Sequence, residues 1–267
     1  MSDENREWTE PPLPEAPVAV EEYPQMSEAS SLFNIFFEPG RTFEFLRVKP
    51  KFIMATLIII VLTVLFQTLF VSRIGETRMR RFVTEQMEKN PRVQSLPADQ
   101  KESIVNQQVT ISRYVGRFGI PVFIAIFFVI LTLLYWGGAS AMGGSISFLR
   151  ALSVVVYSSF PPTVIGMLAN IIILFLKDPD DIDIATSQRG LVHANPTLFF
   201  EGKEMPVLTT LISTLDVFQI WGWVLAAIGL TIMARISKTS GWTVVLIIAL
   251  IGITLRVVGA MFSGNPS

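Results

Sequence analysis

Residues Leu215–Ala234, LDVFQIWGWVLAAIGLTIMA, place one aspartate in front of 18 residues that carry no charge. As a helix, Val217–Ala234 would be about 27 Å long, just enough to cross a hydrocarbon core of ~30 Å. A carboxylate buried in lipid costs several kcal/mol. At the head of a helix, however, it can accept the free N–H groups of the first turn. Asp216 is therefore read as the start of a span, and the preceding VLTTLIST as an approach along the interface. The whole apolar stretch covers 208–234.

Four further stretches have the length and apolarity of spans: 52–71, 120–141, 151–176 and 242–262. The expected fold is all-α, a polytopic transmembrane helical bundle with five spans. Composition agrees: 51% of the 267 residues are hydrophobic, 16% are charged, and the mean hydropathy is +0.51. The overall charge of −1 hides a division, because residues 1–30 carry −7 and the remainder +6. That acidic, proline-rich stretch reads as a disordered tail that solubilises the chain or recruits a partner. It has no basic region followed by an apolar one, so the first span is expected to direct insertion. Cysteine is absent, which excludes thiol catalysis, disulfides and cysteine metal sites.

The membrane domain is expected to cover 31–262. Arg41, Arg47, Lys49 and Lys51 precede the first span, Arg150 lies between spans two and three, and Arg235 and Lys238 lie between spans four and five. These basic residues place the N-terminus inside and, with five spans, the C-terminus outside. The arginines of the long segment after span one argue the other way but weigh less, because long segments insert with little regard to charge. Leu32, Phe33, Phe36 and Phe37, then Phe43 and Leu46 after Pro39-Gly40, have helical spacing. They suit a helix lying in the interface or, as a sharper alternative, one that binds a partner. Between spans one and two, 76–117 reads as a helical excursion outside the bilayer, with helices at 76–90 and 98–117 separated by Pro91 and Pro97. Its repeating positions are Met79, Phe82, Val83 and Met87, then Ile104, Val105, Val109 and Ser112 or Ile111.

Several groups of residues could carry chemistry. YWGGASAMGGS contains Gly137 and Gly144 among small residues spaced for close helix packing. In YSSFPPT, Pro161 and Pro162 remove two donors and free the carbonyls of Tyr157 and Ser158, which Ser158, Ser159 or Thr163 could satisfy. Such a break either kinks span three against its neighbours or lines a transport cavity. Asn170 reads as an interhelical hydrogen-bonder. Reflection about the turn between spans four and five sets Arg256 within about one helical turn of Asp216, so the two are expected to pair. His193 is the single histidine, and DPDDID lacks the glycine and closing glutamate of a calcium loop, so no catalytic, cofactor or metal site is expected. Nucleic-acid binding has no basic helix or aromatic platform behind it.

Three stretches taken together, LFNIFFEPGRTFEFLRVKPKF, VVVYSSFPPTVIGML and STLDVFQIWGWVLAAIGLTIMARIS, resemble the Yip domain, the five-span fold of Ypt/Rab-interacting membrane proteins. The similarity runs over about 31–262. It rests on Pro39, Arg41, Phe43 and Leu46 and on the Leu-Asp-x-Phe-x-x-Trp start of span four. The excursion at 76–117 is similar to bacterial members. For eukaryotic members the resemblance implies organisation of Golgi and ER membranes through small GTPases, and the family brings no established enzymatic activity to carry over. The expected function is that of a non-enzymatic scaffold or organiser in the bacterial cytoplasmic membrane. Its partners would be the lipid bilayer, a membrane or cytoplasmic protein, or further copies of itself. A transporter or channel component built on span three and the Asp216/Arg256 region is the alternative.

Overall fold

A computed structural model of the chain describes residues 26–88, 91–187, 190–192, 194–199 and 205–263. Most of the acidic tail, His193 and the last four residues lie outside the described residues. Among the described residues, the regular structure is helical and five helices are long and apolar enough to cross a membrane.

In chain order the elements are α1 (Glu28–Asn34), α2 (Pro39–Val48) and α3 (Ile53–Ile74), then α4 (Glu76–Glu88), α5 (Pro91–Gln94) and α6 (Ala98–Tyr114). There follow α7 (Ile120–Ala141), α8 (Phe148–Leu176), α9 (Ile184–Ser187), α10 (Pro206–Ser213), α11 (Val217–Ala234) and α12 (Lys238–Ser263). The spans are α3, α7, α8, α11 and α12. Hydropathy locates them because each needs about 20 apolar residues whatever its neighbours do. Three of the others shift by one to four residues at an end, but the fourth differs in kind: the stretch 208–234 is two helices, α10 and α11, broken at Thr214–Asp216.

A π-helical stretch, Val115–Gly119, joins α6 to α7. Pro121 lacks an N–H and would crowd the carbonyl one turn back, and a widened turn relieves such crowding without ending the helix. At its other end α7 closes in a Schellman motif: Gly144 N donates to Ala139 O (2.9 Å) and Gly143 N to Ser140 O (3.0 Å). Gly143 holds the left-handed conformation this requires, with φ +79°.

The main core lies between α2, α3, α7, α8 and α11. A second cluster joins Phe66, Phe70 and Ile74 of α3 to Leu174 of α8 and to Ile182 and Ile184 after it. A third, of Val83, Met87, Val105 and Val109, holds α4 against α6. Ile111 is left exposed.

The position of α1 and α2 corrects the interfacial reading. These helices do not lie flat with every phenylalanine in lipid. Leu32, Ile35, Phe43, Phe45 and Leu46 are buried in the main core, and α2 packs along α11, while of the phenylalanines here only Phe33 and Phe37 stay well exposed. An amphipathic stripe reads the same whether it meets lipid or protein, and the receiving surface lies more than a hundred residues away in the chain.

Candidate functional site

The centre of the molecule is the seat that α8 and α11 make for α1 and α2. Phe43 fits where α11 has no side chain. A Cβ on Gly229 would lie 2.9 Å from the Phe43 ring and 3.0 Å from Val154 Cγ1. Phe36 stacks edge-on against both Phe160 and Trp221, with ring centroids 6.0 Å apart in each case. Beside them the Tyr157 hydroxyl and Ser31 Oγ are 2.9 Å apart, both buried. Ser31 already donates to the Glu28 carbonyl (2.7 Å), so Tyr157 is the donor to Ser31. A Lys51–Glu28 ion pair at 3.6 Å ties α1 to the start of α3.

The proline pair belongs to this same packed region. α8 runs without interruption through Pro161 and Pro162, both buried, along with Tyr157, Ser158 and Phe160. The freed carbonyls are not capped by the serines as expected. Ser158 Oγ (3.0 Å) and Ser159 Oγ (2.8 Å) both donate to Val155 O. The Ser158 carbonyl instead faces α11 at Gly222, where an added Cβ would lie 3.6 Å from that oxygen and 3.8 Å from Pro162 Cγ. The prolines thus seat α8 against α11 at Gly222, where an added Cβ would make ordinary contact with both.

Asp216 caps α11. Its Oδ1 accepts from Phe218 N (2.9 Å) and Gln219 N (3.3 Å), and Oδ2 accepts from Asn195 Nδ2 (3.3 Å). Val217 N donates to Ala194 O (3.1 Å), so the loop before α10 is anchored at the same point. Arg256 donates to Ser213 Oγ (3.2 Å), and the ion pairs among the described residues do not join it to Asp216. Reflection about the turn misjudges this contact because it assumes one unbroken helix over 208–234. With the break at 214–216, α12 packs along α10 as well as α11, and Arg256 meets the end of α10.

The small residues of α7 divide by face. Gly138 is the one against α12, where an added Cβ would lie only 2.7 Å from Val244 Cγ1, whereas Gly137 has nothing within 4 Å. Gly144 is confined, its Cβ position being 2.7 Å from Ile236 and 3.1 Å from Ala234 Cβ. Asn170 is not an interhelical bridge. Its Oδ1 accepts from the backbone N–H groups of Leu191 and Val192, the latter at 2.9 Å, and its Nδ2 donates to Gly166 O (2.7 Å), which clamps the loop after α9 to the side of α8. Sequence reasoning misses Gly229, Gly222 and the clamp. The glycines carry no sign of which partner fills the space above them.

Among the described residues no group of three or more His, Asp or Glu side chains is arranged to hold a metal. Their buried side-chain nitrogens and oxygens all have a hydrogen-bond partner. Five apolar spans, a packed centre and closed polar groups define a polytopic helical membrane protein.

Comparison with known proteins gives the family. The Yip1 domain matches residues 33–261, and the chain belongs to that family. It is also similar to the membrane protein YknW of Bacillus subtilis (strain 168), at 27% identity over 238 residues, covering 89% of this chain and 91% of that one. No solved structure matches. The resemblance drawn from the three motifs and the family found here are the same.

Proposed function

We propose that this protein is a non-enzymatic scaffold that organises protein assembly in a bacterial cytoplasmic membrane. The observation that carries this reading is the contrast between its centre and its flanks. Polar groups of the centre are spent within the fold: Thr132 on Phe128 O, Ser153 on Leu149 O, Ser158 and Ser159 on Val155 O, Tyr157 on Ser31. The flanking spans α7 and α12 present long apolar faces outward, including Phe123, Ile126 and Ile130 on α7 and Leu250, Leu255 and Met261 on α12. A transport pathway calls for polar groups facing a wet cavity, whereas an organiser needs a rigid body with free apolar faces for neighbouring helices.

The partners on this reading are lipid and a second membrane protein or another copy of the chain, with the N-terminus inside and the C-terminus outside. Photocrosslinkers placed at Ile126 and Leu250 in native membranes are expected to capture discrete protein adducts. Lipid adducts alone at both positions would contradict the scaffold. Because the natural chain has no cysteine, Ser237→Cys and Asp180→Cys give a clean topology test. The first is expected to label only after the membrane is permeabilised and the second in intact cells.

A further inference from the structure

One end of the bundle carries a cluster of charge that the packing does not use. Arg47 at the end of α2, Arg150 in the first turn of α8 and Arg235 at the end of α11 line a shallow open cavity of about 210 Å³, together with Val48. Three arginines share the lining of one space, and among the described residues no carboxylate forms an ion pair with them. Ion pairs among the described residues are Arg41–Glu38, Lys51–Glu28, Arg78–Asp180 and Arg81–Glu85, and none includes the three. Glu44, one turn before Arg47, is exposed and pairs with none of them.

Two features of the backbone bear on the site. The C-termini of α2 and α11 hold Arg47 and Arg235 in place through their partial negative charge, while the N-terminus of α8, capped by Ser147, directs a partial positive charge at the same end of the bundle. Arg235 holds a left-handed backbone, φ 55°, the only non-glycine residue among those described to do so. A non-glycine residue adopts that conformation at a cost, so the turn fixes where its side chain departs.

We infer that this cavity binds the phosphate of an anionic phospholipid headgroup. The arginine fork suits phosphate oxygens, which two or three guanidiniums can share through parallel N–H bonds. The location favours a lipid over a free anion. The three arginines stand where α8 begins and α11 ends, at the level where spans leave the hydrocarbon. Val48, Phe148 and Leu149 beside them are exposed apolar side chains placed to meet acyl chains. Basic pockets between span ends are a recurrent way of holding acidic lipid headgroups. This inference rests on the membrane placement and not on the scaffold role, so each can fail without the other.

The test uses the full-length protein in mixed micelles, with retained lipid counted by mass spectrometry after exchange against equal phosphatidylglycerol and phosphatidylcholine. Wild type is expected to retain phosphatidylglycerol preferentially, by about five-fold for each arginine engaged at low salt. R47Q/R150Q/R235Q is expected to lose that preference, R47K/R150K/R235K to keep part of it, and R78Q/R80Q/R81Q in the excursion to keep all of it. If the triple glutamine variant does not fold, the exposed Arg235→Gln alone is expected to lower the preference about five-fold. Equal retention of the two lipids by wild type, or undiminished preference in Arg235→Gln, would overturn the inference. So would full displacement of phosphatidylglycerol by millimolar inorganic phosphate, which would make the cavity a site for free anions.

Discussion

The core of α2, α8 and α11 and the excursion of α4 and α6 are both helix packed on helix, but different forces hold them. Outside the bilayer, Val83, Met87, Val105 and Val109 come together because water expels them, and the charges around them are exposed pairs such as Arg81–Glu85, 82% and 55% accessible. Between spans, lipid is as apolar as the side chains it would replace, so burial contributes little. Close fit and hydrogen bonding must hold the helices together. The residues that matter in the core are accordingly those that set distance, above all Gly229 and Gly138. The excursion should tolerate changes of shape and resist loss of hydrophobicity. The core should do the reverse.

Substitutions can sharpen this contrast. Phe43→Ala empties the seat between Gly229 and Val154 and is expected to cost about 2–3 kcal/mol from the cavity alone, read as loss of thermal stability in detergent. Asn170→Ala removes the acceptor for two loop amides and is expected to cost about 1–3 kcal/mol locally, seen as faster hydrogen exchange at Leu191 and Val192 with the spans unchanged. Asp216→Ala removes the cap of α11 and is expected to cost about 1 kcal/mol, with Asp216→Asn recovering most of it. Tyr157→Phe gives up one buried hydrogen bond, about 0.5–1.5 kcal/mol, because Ser31 keeps its own acceptor on Glu28. Arg81→Ala in the excursion is expected to change stability by about 0.5 kcal/mol or less. A larger loss from Arg81→Ala than from Tyr157→Phe would reverse the contrast.

What the sequence reveals follows the same division. Spans are legible because each obeys the bilayer alone, and Asp216 is legible as a helix start because capping is local. Helices α4 and α6 are legible for the same reason, being separated by Pro91 and Pro97. Contacts that depend on a second surface are not. Nothing within LFNIFFEPGRTFEFL says that Phe43 enters a protein seat while Phe37 faces outward, since that choice is made by Gly229 and Val154 on other spans. The expected Asp216–Arg256 pairing fails on one unforeseen break in a helix. Spacing identifies a small-residue stripe on α7 without saying which of two adjacent residues faces α12, and it is Gly138 that does.

The central claim is that α1 and α2 are an inserted part of the bundle, with Phe43 fitted against Gly229. A size-exchange cycle tests it most directly: thermal stability of wild type, Gly229→Ala, Phe43→Leu and the double variant in the same detergent. On this account Gly229→Ala alone is destabilising, by about 1–3 kcal/mol, because its methyl meets the Phe43 ring at 2.9 Å. Phe43→Leu should then recover part of that loss, leaving the double variant more stable than Gly229→Ala. If Gly229→Ala were neutral, or the two losses simply added, Phe43 would not occupy that seat and the segment would lie elsewhere.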